Sequence, residues 1–113
     1  MENCLFCKII AGEIPSSKVY EDEYVYAFRD IHPQAPVHVL VVPKKHVESI
    51  SSIGSLSEKE TASCLKALSE IAAREGLQNG YRVVSNCGPD ACQSVPHLHF
   101  HLLGGAQMTD KMG

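Results

Sequence analysis

The chain reads as an α+β domain, an antiparallel sheet carrying one main helix. Three observations predict this. Segments of β-prone residues outnumber helical ones. The loops between them are mostly too short for the crossovers that parallel strands need. One stretch, Ser57 to Gly76, carries helix signals at both ends. A length of 113 residues suits one domain over residues 1–113, with enough chain to bury a single core.

Cys4 to Ala11 reads as a short helix or turn closed by Gly12. Lys18 to Glu21 and Tyr24 to Arg29 form a hairpin about Asp22-Glu23, with Tyr24, Tyr26 and Phe28 on one face opposite Val25 and Ala27. Two prolines make Asp30 to Pro36 a loop. Val37 to Val42 is the most strand-like run, and Pro43 ends it. The main helix has Ser57 as N-cap and Glu60 three residues on, a capping box. Leu65, Leu68, Ile71 and Ala72, with Ala62 and Cys64, supply its apolar stripe. Asn79-Gly80 turns the chain into a strand over Tyr81 to Asn86, and a loop from Cys87 to Pro96 follows.

The last strand carries the chemistry. In His97-Leu98-His99-Phe100-His101-Leu102-Leu103, strand alternation puts Leu98, Phe100 and Leu102 on one face and three histidines on the other. One histidine there is an ordinary satisfied polar residue. Three at strict period two make a poor packing surface and point to a site. His99, in the middle, suits a nucleophile, because a neutral imidazole attacks through one nitrogen once a hydrogen bond holds the proton on the other. His101, Ser94 and amides of the 87–96 loop supply donors for phosphoryl oxygens. His38, from another strand, suits tautomer control or proton relay, although alone it reads as a satisfied core or rim histidine.

A net charge of −3 and a pI near 6.0 leave no basic footprint for nucleic acid, and Lys44-Lys45 is too short to change that. No apolar run approaches the roughly 18 residues of a membrane span, and Met1-Glu2-Asn3-Cys4 lacks a secretory start. Five cysteines without framework spacing fit a reducing cytoplasm. Cys4 and Cys7 form a C-x2-C that reads either as half a zinc site or as two plain thiols.

The His-x-His-x-His row followed by two apolar residues resembles the signature of the histidine-triad (HIT) family of nucleotide hydrolases and transferases. Asn3 to Ile10, Phe28-Arg29-Asp30-Ile31, Pro33 to His38 and Gln93-Ser94-Val95 resemble the Hint branch of that family. The likeness covers almost the whole chain. It implies a five-stranded antiparallel sheet with a short N-terminal helix. It further implies a homodimer paired through the main helix and the Tyr81 strand.

The resemblance also implies a purine nucleoside phosphoramidate hydrolase working through a nucleotidyl-histidine on His99, with no catalytic cofactor. His38 and His101 take the other histidine roles. Asn86 and Ser94 contact phosphate and leaving group, where the residues alone read as turn formers. Asp30 accepts from the ribose hydroxyls, though its side chain also suits capping the loop. Leu5, Phe6, Phe28 and Ile31 flank the base of an AMP- or GMP-type nucleotide, positions that any core would also fill. Cys4, Cys7, His46 and His97 make a closed structural zinc site.

Two features depart from the Hint pattern. Cys92 stands where glycine is usual, beside the expected phosphate contacts. The tail after Met108 lacks the aromatic residues of eukaryotic Hint proteins. Two rival readings remain beside the covalent hydrolase. One is a nucleotide-binding sensor with incidental hydrolysis, the other a hydrolase with a metal on the histidine row.

Overall fold

The strands form where β-branched and aromatic residues cluster, and they pair as one five-stranded antiparallel sheet. In the computed structural model, residues 3–113 are described. The strands are β1 (Lys18–Glu21), β2 (Val25–Arg29), β3 (Val37–Pro43), β4 (Tyr81–Val84) and β5 (Phe100–Gly104), in the spatial order β1-β2-β3-β5-β4. Helix α1 (Leu5–Ile10) covers one face and α2 (Glu58–Arg74) the other. The α+β reading, with five strands, one main helix and a short N-terminal one, therefore holds.

Alternation sorts the core into two layers. Val25, Ala27, Val39, Val41, Leu98, Phe100 and Leu102 pack against Cys64, Ala67, Leu68, Ile71 and Ala72 of α2. On the reverse face Tyr26, Phe28, Leu40 and Val42 pack against Cys4, Phe6 and Ile9 around α1. Register places the histidines on that second face. β3 and β5 pair His38 with Leu103 and Leu40 with His101, while β4 sets Val84 opposite His101. Glycines close the strand end: a Cβ on Gly104 would lie 2.8 Å from Leu77, and one on Gly105 3.0 Å from Pro36.

The capping box of α2 is present in both directions, Glu60 N–H to Ser57 Oγ at 3.0 Å and Ser57 N–H to Glu60 Oε1 at 2.7 Å. Several expectations need correction. Leu65 is 55% exposed and outside the core. It lies one residue, about 100°, around the helix from Cys64, so the buried stripe is narrower than the apolar residues suggest. Tyr24 does not share the face of Tyr26 and Phe28 but packs towards the α2 layer. Asp22 Oδ1 accepts from the Tyr24 and Val25 amides at 2.8 and 2.9 Å, and this turn breaks the alternation before β2 begins. β4 stops at Val84 rather than Asn86, and short 3-10 helices form over Ile50–Ser55 and Pro89–Ala91.

The histidine row begins in a bend at His97, and only from Phe100 onward does it pair as β5. Before that, Leu98 N–H donates to the Val47 carbonyl at 2.7 Å instead of to a strand neighbour. Its polar face is covered rather than open, with His97 0% and His99 2% exposed beneath the N-terminal segment. Among the described residues, no helix is long and apolar enough to cross a membrane.

Candidate active site and metal cluster

His99 sits where the row leaves the loop and enters the sheet. Its Nδ1 lies 2.7 Å from the His97 carbonyl oxygen, which only an N–H can satisfy. The proton is therefore on Nδ1, and Nε2 keeps a lone pair. Phe6 packs edge-on against the ring with centroids 5.1 Å apart, and the His101 ring centroid also lies 5.1 Å away. Ser85, not among the expected site residues, donates its hydroxyl to the His99 carbonyl at 2.8 Å and ties the end of β4 to this point.

His38 and His101 meet from β3 and β5, with Nε2 of His38 2.9 Å from Nδ1 of His101. Gln34 donates its backbone N–H to His38 Nδ1 at 3.0 Å, and Asp30 Oδ2 lies 3.4 Å from His38 Nε2. Both rings are held neutral at pH 7. Burial depresses the His38 pKa, with the Asp30 charge opposing it. Burial, then His99 and His38, push His101 down to about 4.

The other predicted residues surround these rings unevenly. Phe6 and Phe28 are buried edge-to-face at 5.4 Å, whereas Leu5 and Ile31 are exposed, Ile31 to 86%. Asp30 does cap its loop, Oδ1 accepting from the His32 amide at 2.8 Å, which leaves Oδ2 towards the histidines. Asn86 is half-buried just past β4, and Ser94 is exposed on the following loop. Cys92 is exposed with φ 59° and ψ 38°, the left-handed region, which explains why glycine suits this position.

That loop is stapled by side chains that were assigned no role in the site. Gln93 Oε1 accepts from the Gly88 amide at 2.9 Å, while its Nε2 donates to the Glu48 and Val95 carbonyls at 2.7 and 3.0 Å. Cys87 packs its sulfur against the Ser49 and Ser51 hydroxyls at 3.3 and 3.1 Å, and those bonds lower its pKa.

Cys4, Cys7, His46 and His97 converge as expected, their four ligand atoms within 4.8 Å of one another. His97 Nδ1 lies 3.3 Å from Cys4 Sγ, 3.5 Å from Cys7 Sγ and 3.2 Å from His46 Nδ1, and Cys7 Sγ lies 3.4 Å from His46 Nδ1. Nitrogen and sulfur ligands at tetrahedral zinc lie roughly 3.3–3.8 Å apart, so the donors fit one such ion. The surroundings fit too. His97 Nε2 donates to the Pro43 carbonyl at 2.9 Å, leaving Nδ1 as the ligand nitrogen, and the Cys7 amide donates to Cys4 Sγ at 3.3 Å. Burial and the neighbouring Cys4 raise the Cys7 thiol to about 11. A cation reverses that preference, since a bound thiol is deprotonated. A cleft of about 560 Å³ between Gly76–Arg82 and Gly105–Asp110 contains none of these groups, so chemistry rather than volume locates the site.

Comparison with known proteins agrees with this geometry. The HIT domain model matches residues 11–108. A 14 kDa zinc-binding protein of Zea mays is 51% identical over 108 residues, covering 93% of this chain and 84% of its own. Adenylylsulfatase HINT1 of Arabidopsis thaliana is 46% identical, covering 93% and 73%. The crystal structure of a HIT family hydrolase from Legionella pneumophila superposes with a TM-score of 0.94 at 48% identity, covering 98% of this chain and 100% of its own. The chain therefore belongs to the histidine-triad (HIT) domain family.

Proposed function

We propose that the protein hydrolyses the P–N bond of purine nucleoside phosphoramidates through a nucleotidyl-histidine on His99. The observation that carries this is the 2.7 Å bond from His99 Nδ1–H to the His97 carbonyl, which leaves Nε2 free to attack phosphorus. The attack forms a P–N bond to His99 and breaks the one to the leaving amine, which departs with a proton. Water then adds to the same phosphorus, releasing the nucleoside monophosphate and returning His99 to its neutral form. His101 and Ser94 hold the phosphoryl oxygens. His38, hydrogen-bonded to His101, controls its tautomer, and Asn86 and the Cys92 loop flank the phosphate. Asp30 takes the ribose hydroxyls, with Leu5, Phe6, Phe28 and Ile31 around the base. The relatives named a HIT family hydrolase and an adenylylsulfatase support a hydrolase acting on an adenylyl compound.

A structural zinc on Cys4, Cys7, His46 and His97 belongs to this reading, supported by the donor geometry and the zinc-binding relative. Holding two thiolates suits a reducing, cytoplasmic setting. A single domain that pairs as a homodimer also belongs to it. Leu65 on α2 and Tyr81 and Val83 on β4 are exposed apolar residues, and β4 is an edge strand of the sheet. A metal-dependent hydrolase has weaker support. Asp30, His38 and His101 lie within 4.8 Å of one another, yet Gln34 occupies His38 Nδ1 and keeps the proton on the nitrogen that would bind the ion.

Steady-state turnover of adenosine phosphoramidate by wild type and His99→Ala tests the proposal, with nucleotide affinity measured alongside. Turnover abolished by the substitution with binding retained supports the covalent hydrolase. Tight nucleotide binding without turnover in wild type would favour a sensor.

A further inference from the structure

We propose that the backbone N–H of Gln34 is a positioning group of the active site, fixing which nitrogen of His101 carries its proton; this rests on the hydrolase reading above. The geometry runs in one direction. Gln34 N–H donates to His38 Nδ1 at 3.0 Å, so that nitrogen keeps a lone pair and the neutral ring carries its proton on Nε2. Nε2–H of His38 then faces Nδ1 of His101 at 2.9 Å. Two N–H groups at that distance would repel, so His101 accepts on Nδ1 and bears its own proton on Nε2. That N–H is the donor left for a phosphoryl oxygen beside His99.

The amide is held in place by its own loop. Prolines 33 and 36 bracket it. Asp30 N–H bonds to the His38 carbonyl at 3.0 Å, and Gln34 Nε2 donates to the His32 carbonyl at 3.1 Å. Gly105, with φ +92°, lets the end of β5 approach Pro36. The Gln34 side chain is exposed, so the main chain and not the side chain does the positioning.

The test replaces the residue-34 amide by an ester, using the α-hydroxy analogue of glutamine, with Gln34→Ala as the control that keeps the N–H. Long-range proton–nitrogen spectra report histidine tautomers at neutral pH, and kcat and KM are measured with adenosine phosphoramidate. Wild type and Gln34→Ala should show His38 and His101 both protonated on Nε2. The ester should move His38 towards the Nδ1–H form and lower kcat about tenfold or more, with KM little changed. Either histidine protonated on Nδ1 in wild type would overturn the proposal. So would an ester variant with unchanged tautomers and unchanged kcat. If the ester variant does not fold, the wild-type tautomers decide. Absence of wild-type turnover counts against the hydrolase reading alone, and the spectra still judge this one.

Discussion

His97 and His99 are joined by one hydrogen bond, from His99 Nδ1–H to the His97 carbonyl at 2.7 Å. The ring of His97 points into the Cys4/Cys7/His46 cluster, while its backbone fixes the tautomer of the neighbouring imidazole. Adjacent members of one histidine row thus commit opposite ring nitrogens, Nε2 in His97 and Nδ1 in His99, and in both rings a backbone carbonyl makes that choice.

Zinc should purify with the protein at one ion per chain, without added metal. Cys4→Ser/Cys7→Ser should lose it and melt about 10 °C or more lower, yet keep much of its activity in the cold. Metal analysis with thermal melts checks this. Stoichiometric zinc retained by the double variant would place the ion elsewhere and remove His97 from the ligand set.

Acid should destabilise the fold before the carboxylates titrate. His101 is held at about 4 and His38 below its ordinary value, both mainly by burial. Their folded pKa values lie under the unfolded value of about 6.5, so below that pH the unfolded chain binds protons the folded one refuses. The stability is present above pH ~6.5 and is lost as pH falls towards 4. Urea midpoints should drop across this window, and His101→Gln should drop less steeply. Identical slopes for the two proteins would contradict the burial argument.

Cys92 holds a left-handed conformation that costs a non-glycine residue about 1–2 kcal/mol. Glycine gives back about 0.5–1 kcal/mol of chain entropy, so Cys92→Gly should be neutral to slightly stabilising. Cys92→Val, β-branched, should destabilise by more than 1 kcal/mol. Denaturant titrations of the three proteins give the order, and a Val variant as stable as wild type would mean the loop relaxes freely.

In solution the protein should be a dimer, and charges placed on its exposed apolar residues should dissociate it. Leu65→Glu and Val83→Lys are the variants to make, since both side chains are exposed in the monomer and neither belongs to the core. Light scattering at micromolar concentration should give twice the chain mass for wild type and one chain mass for the pair. A monomeric wild type would remove the extended sheet from the account.

Local signals were the legible part. The Ser57/Glu60 box, the apolar alternation of Leu98, Phe100 and Leu102, and the C-x2-C spacing are written within a few residues, and each reappears in the fold. Non-local cover was not legible. Leu65 looks like core because it is apolar, but the width of the buried stripe depends on which strands α2 lies across. The burial of His97 and His99 follows from α1 folding over them from the far end of the chain. The groups that set tautomers, the Gln34 amide and the His97 and Pro43 carbonyls, are backbone atoms that any residue supplies. Composition cannot reveal them.

The most direct test is intact-protein mass spectrometry during turnover of adenosine phosphoramidate, quenched in the steady state, followed by peptide mapping. The covalent account predicts a wild-type species heavier by one adenylyl group, mapped to His99 and absent from His99→Ala. Rapid turnover with no adduct at any quench time, or an adduct on another residue, would contradict it.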